Sequence, residues 1–206
     1  MTSFDLFSIG HSNVSAECFL ALLQSAGVNA IADVRSVPVS RFCPWFSAKN
    51  LAPFLAQQDI GYLPYGETLG GRPSNSSLYC DGIADYEAMA RQPEFQRDLE
   101  RLRGDMARSR VCIMCAERDP LDCHRCLLVA RELATGGVTI GHILHGGTIT
   151  PHALIEQQLL LAAEDETTPD LFVTGQNERI AAAYRWRARA VAYRVKQATR
   201  PSFKNQ

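Results

Sequence analysis

Five short apolar runs constrain this chain more than any other feature of its sequence. They cover residues 6–9, 29–34, 60–63, 111–114 and 138–144, each closed by glycine, proline or polar residues. Runs of this length bounded by turn signals read as buried strands. Helical patterns fill 16–25, 48–58, 85–89, 93–106, 123–134 and 151–164. Ser15 is placed to cap the first of these, with Gly27 just past its end, and Pro93 suits the first turn of another. Strand and helix alternate almost throughout. The prediction is one three-layer α/β domain with a mainly parallel sheet of about five strands and helices on both faces. With 206 residues, 46% of them hydrophobic, the chain can fill one substantial core.

In a parallel sheet every strand ends on the same edge, and ligands bind outside that edge. This turns scattered residues into a constellation. His11 follows the first strand, Asp33 and Arg35 close the second, Cys115 and Glu117 the fourth, and His145 the last. The richest stretch runs from Val111 to Ala134: an apolar run, a polar loop punctuated by Pro120, then a helical pattern from Cys123. The strand's last side chains and the first free N–H groups of the helix face one crevice. Here that crevice receives Cys115, Glu117, Cys123, His124 and Arg125.

Several chemistries compete for this set. Cys112-x-x-Cys115 and Cys123-x-x-Cys126 suggest a four-cysteine zinc site, but only seven residues separate the pairs. Cys112 and Cys115 would also face opposite sides of a strand, so Cys112 and Cys126 read as core residues. The sequence assigns no metal centre and leaves only a smaller set, such as His11, Cys115 and Cys123. Cys115 sits where cysteine phosphatases carry their nucleophile, yet Leu121 stands where those enzymes place an arginine. Cys123, near a helix start beside His124 and Arg125, has its thiolate favoured. His11 and His124 suit acid–base work near neutral pH, with Asp33 and Glu117 as carboxylates. Arg35 and Arg125 suit an anion, unless internal ion pairs consume them. Ser12, Arg41, Gly70 and Gly71 complete the candidate binding groups.

Charge is uneven. After Glu178 there is no acid, while eight basic residues follow, so the first 178 residues carry 13 basic against 22 acidic side chains, or −9. The basic stretch, 176–198, has a helical pattern with Ile180, Tyr184, Ala188, Val191 and Val195 on one side. It reads either as a helix docked on the domain or as a nucleic-acid contact using Tyr184, Trp186 and Tyr193. The expected division is a core of 1–164, a linker of 165–175 and a basic helical extension of 176–206. No apolar run approaches ~18 residues, so no transmembrane helix is expected. The first residues show no basic leader before an apolar block. With an odd seven cysteines, this places the chain in the cytoplasm with reduced thiols.

Five separated motifs also resemble one family. Ile9-Gly10-His11-Ser12-Asn13, Asp33-Val34-Arg35 with Pro38 and Ser40-Arg41, Leu69-Gly70-Gly71, Cys115-x-Glu117 and Cys123-His124-Arg125 occur in its order. It is the bacterial and archaeal family catalogued as domain of unknown function 488, and the likeness covers roughly residues 4 to 160. The resemblance implies an α/β fold and a shared polar site, but no activity. The residues themselves favour an enzyme acting on a phosphate-bearing small molecule or nucleic acid, its cofactor unknown. Its rival is a non-catalytic module binding a nucleotide or nucleic acid.

Overall fold

The computed structural model describes residues 3–166 and 175–195. In chain order the elements are β1 (Leu6–Gly10), α1 (Ala16–Ser25), β2 (Ala30–Asp33), α2 (Ala48–Ala56), β3 (Gly61–Pro64), a small hairpin of β4 (Tyr79–Cys80) and β5 (Ile83–Ala84), α3 (Tyr86–Ala90), α4 (Pro93–Met106) and β6 (Val111–Cys115). A π-helical stretch, Arg125–Ala130, then runs into α5 (Arg131–Thr135), followed by β7 (Ile140–Ile143), β8 (Ile149–Pro151), α6 (His152–Glu166) and α7 (Gln176–Val191). The main sheet has the order β3-β2-β6-β1-β7-β8. Five strands are parallel, and β8 pairs antiparallel with β7 at one edge.

This is the α/β sheet with helices on both faces that the sequence predicts, with one strand more. The sequence pattern misses β8 because only three residues pair there, two of them Thr150 and Pro151. The polar segment read as loop at 75–82 carries the β4 strand of the small hairpin. The helix expected from Cys123 starts with π geometry, a rare widened turn often found at functional sites.

The central strands are buried on both faces and therefore read as unbroken apolar runs. On one side Phe7, Ile9, Ile31, Cys112 and Met114 meet Phe19 and Leu23 of α1 and Leu51 and Leu55 of α2. On the other, Leu6, Ala32, Ile113 and Cys115 meet Leu99, Leu127, Leu133, Leu159 and Tyr184. Full burial of each such aliphatic or aromatic side chain contributes about 1.5–3 kcal/mol. The alternation along β6 puts Cys112 and Cys115 on opposite faces, which removes the four-cysteine metal reading.

α7 docks against α6, as the apolar stripe allows. Tyr184 is buried, Ile180, Ala188 and Val191 are half-buried, and Val195 is exposed. Its arginines meet acids of the body: Arg179 with Glu164, Arg185 with Glu87, Arg187 with Asp122 and Arg189 with Asp81. The helix stops at Val191, short of the expected residue 198, because Ala192 turns extended and Arg194 bridges to Ile83. Most of the expected linker, and the chain after Val195, lie outside the described residues. No helix among the described residues is long and apolar enough to cross a membrane.

The direction in which the connections step across the sheet reverses between the parallel strands β1 and β6. From β1 the chain passes through α1 toward β2 on one flank. From β6 it passes through α5, on the opposite face, toward β7 on the other flank. A crevice lies beyond the ends of these neighbouring strands, the usual place for a ligand in such sheets.

Candidate functional site

The crevice is built by close backbone approach. Gly10 lies beside Cys115 in the sheet register. The loops then continue the pairing, with His11 N donating to Cys115 O at 2.9 Å and Ser12 N to Ala116 O at 2.9 Å. A Cβ on Gly10 would stand 1.8 Å from the Glu117 carbonyl oxygen, so only glycine fits there. Arg125 fixes the same loop from beneath. It is 1% exposed and donates Nη1 to Glu117 O at 2.6 Å and Nη2 to Arg118 O at 3.1 Å. Its Nε has no partner among the described residues. Arg125 was expected to grip a ligand; the π turn instead directs it under the loop, away from the cavity.

Four side chains converge on the floor. Glu117 Oε2 accepts from Cys115 Sγ at 2.7 Å and from Cys123 Sγ at 3.1 Å. His124 Nδ1 stands 3.6 Å from Cys115 Sγ and 3.8 Å from Cys123 Sγ. The donor atoms of all four lie within 4.8 Å of one another. The other ring nitrogen of His124, Nε2, donates to Val34 O at 2.8 Å, which turns Nδ1 toward both sulfurs. Burial raises the Cys115 thiol well above its usual range, and Cys123 beside it adds to that. Burial acts on Cys123 in the same sense. The hydrogen bond from Cys115 and the charges of Arg125 and His124 outweigh it and hold Cys123 well below the usual thiol range. His124 is raised despite its burial, chiefly by Cys123. The two thiols are thus pushed in opposite directions.

His11 and Arg35 form the adjoining wall. His11 stacks on Phe46 with ring centroids 4.2 Å apart. Its Nδ1 donates to Ser12 O at 2.8 Å, and its Nε2 accepts from Arg35 Nη1 at 3.1 Å. Burial pushes its pKa down to about 4, against the Ser12 carbonyl and with the help of Arg35. Both ring nitrogens are therefore in use and the ring is neutral near pH 7, so the expected acid–base or ligand role gives way to a positioning one. Arg35 commits Nε to Asp33 Oδ1 at 2.9 Å and Nη2 to Asp33 Oδ2 at 2.5 Å. Asp33 also accepts from Tyr62 at 2.6 Å. The internal ion pair left open by the sequence is formed, and it keeps Asp33 off the cavity surface.

The cavity measures about 370 Å³ and is lined by His11, Arg35, Cys115, Glu117, Cys123 and His124 together with Gly71. A Cβ on Gly71 would press on the His124 ring at 2.8 Å. Gly70 packs against Ser36 behind that wall, Arg41 is exposed outside it, and Ser12 holds a strained backbone (φ 47°) at the rim. None of these three, nor Arg125 or Asp33, lines the cavity. His145 donates to Gly10 O at 2.8 Å and supports the rim from outside.

Sequence reasoning missed Arg72 and Tyr86, which also line the cavity, and offered Tyr193, a third lining residue, only as a nucleic-acid contact. The Arg72 guanidinium lies over the Tyr193 ring at 4.8 Å and has no carboxylate partner among the described residues. Its position directly after Gly70-Gly71 was a signal. Tyr193 could not be assigned to this cavity from sequence, because it reaches it only through the docking of α7.

A second convergence of donors, Cys126, His142 and His152, is buried beside the sheet. Its histidines are joined to each other at 2.9 Å, and beyond them to Ser8 and Tyr184.

Residues 15–131, more than half of the chain, match the family described as domain of unknown function DUF488. No curated protein and no solved structure matches the chain. The motifs that form the floor and walls of the crevice lie almost wholly within the matched span, and the chain belongs to the domain of unknown function DUF488 family.

Proposed function

We propose that the crevice is the active site of an enzyme acting on a phosphate-bearing small molecule of nucleotide size, in a reducing compartment such as the cytoplasm. One observation carries this reading. A single cavity holds an arginine without a carboxylate partner among the described residues, Arg72, together with a floor of Cys115, Glu117, Cys123 and His124. The arginine suits a phosphate, Tyr86 and Tyr193 add aromatic lining, and the floor supplies reactive groups. Its volume lies in the ~300–1,000 Å³ range of small-molecule sites. All seven cysteines are free thiols. A small ligand is favoured over a nucleic-acid strand because the arginines of α7 within the described residues meet acids, and the first 178 residues carry −9.

Titration with nucleoside monophosphates, the matching nucleosides and inorganic phosphate tests the reading. Phosphorylated ligands should raise the melting temperature, and nucleosides should not. Arg72→Ala should weaken binding by about 1.5–3 kcal/mol, or roughly 10- to 100-fold. Turnover followed by phosphorus NMR and mass spectrometry separates enzyme from binding module: Glu117→Gln should keep the ligand and lose the reaction. No response to any phosphorylated ligand would sink the proposal.

A further inference from the structure

The geometry points to a zinc site on the cavity floor, with Cys115, Cys123 and His124 as the three protein ligands and Glu117 beside the open fourth corner. This deepens the reading of the crevice as an active site and rests on it only for the substrate. Zinc favours thiolate and imidazole donors in a tetrahedron, and catalytic zinc keeps three protein ligands with one position free.

Four observations agree. The donor atoms come from two separate segments and still fall within 4.8 Å of one another. His124 already has the orientation of a metal ligand, with Nε2–H fixed on Val34 O at 2.8 Å and Nδ1 turned toward both sulfurs. The Cys123 sulfur accepts the Arg125 backbone N–H at 3.4 Å, the kind of outer contact that steadies a bound thiolate. Arg125 is a buried cation with no carboxylate salt bridge among the described residues. Zinc, two thiolates, the Glu117 carboxylate and Arg125 together sum to zero charge. By contrast, Cys126, His142 and His152 have their facing nitrogens already bonded to each other.

Cys115, Cys123 and His124 are buried, whereas Glu117 stands on the exposed loop and reaches the sulfurs from the cavity side. That is the corner where a water would bind. Its proton would pass to Glu117, and the hydroxide oxygen would bond to the electrophilic carbon or phosphorus of the ligand. The leaving group would depart with the bonding electron pair and take up that proton. The reaction class is hydrolysis of a phosphate-bearing substrate.

The full chain is the material for the test. Metal analysis of purified protein should give roughly one zinc per chain. Cobalt(II) added to chelated protein should give intense thiolate-to-cobalt absorption. Cys123→Ser and Cys115→Ser should lose this band while Cys18→Ser keeps it. Zinc should also slow alkylation of Cys115 and Cys123 in wild-type protein, with exposed Cys18 and Cys80 as internal standards, which guards against a variant that merely misfolds. Glu117→Gln should hold zinc within about tenfold of wild type. Absence of zinc and of the cobalt band, or no protection of the two thiols, overturns the site. Loss of zinc in Glu117→Gln makes Glu117 a fourth ligand and overturns the open corner and the hydrolysis. Zinc binding without any phosphate response would overturn the substrate reading alone, and the reverse result the metal alone.

Discussion

Replacing Tyr184 decides whether the basic helix belongs to the fold or serves a polyanion. The side chain is 1% exposed, packs within the larger of the two cores and lies under the Arg131 guanidinium at 4.6 Å. Its hydroxyl donates to Glu156 at 2.9 Å and stands 3.1 Å from His152 Nε2. Tyr184→Ala removes a ring from a filled core and should cost about 3–5 kcal/mol, the range for large aromatic truncations. Tyr184→Phe keeps the ring and leaves His152, 5% exposed, short of a partner, at about 1–2 kcal/mol. The gap between the two variants therefore measures packing. Urea unfolding followed by circular dichroism gives both values, provided the slope with denaturant is unchanged. Duplex DNA binding, measured at two salt concentrations, is the second readout. A helix serving DNA through several phosphate contacts adds ~0.9 per contact to the log–log salt slope. A Tyr184→Ala variant within about 0.5 kcal/mol of wild type, with steeply salt-dependent DNA binding by the parent, would refute docking as the role of α7.

Acid should weaken the fold before any carboxylate titrates. Burial pushes His142, His152 and His11 below the ordinary histidine value of 6.5, outnumbering the opposite shift of His124, so the unfolded chain takes up more protons as the pH falls. Their contribution is fully present above pH 6.5 and is lost as pH falls through the folded values, so the urea midpoint should be lower at pH 5.5 than at pH 7.5; an unchanged midpoint contradicts the burial argument. Gly10→Ala should also destabilise, because a Cβ 1.8 Å from the Glu117 carbonyl must push the Cys115–Glu117 loop aside. Overpacking of this kind costs about 1–3 kcal/mol, and the variant should lose the zinc-dependent protection of Cys115; wild-type stability and protection would show that the loop yields freely.

Fold and site were legible in the sequence to different depths, for a physical reason. Strands buried on both faces must be apolar throughout, so 6–9 and 111–114 could be read directly, and parallel order then put His11, Cys115 and Glu117 on one rim. Adjacency in sequence also placed Cys123 and His124 at the floor. It could not tell which way a long side chain would reach from a turn of unknown geometry. Arg125 follows His124 immediately, yet the π turn sends its guanidinium beneath the loop to two carbonyls, while His124 faces the cavity. Arg35 had an acid two residues away, and Asp33 claimed it. The cavity arginine without a carboxylate partner among the described residues is Arg72, beside Gly71, which brings the chain against the His124 ring. An arginine in a site is free or spent according to the carboxylates and carbonyls within its reach, and those are fixed by chain crossings such as α7 over the crevice rather than by the residues beside it.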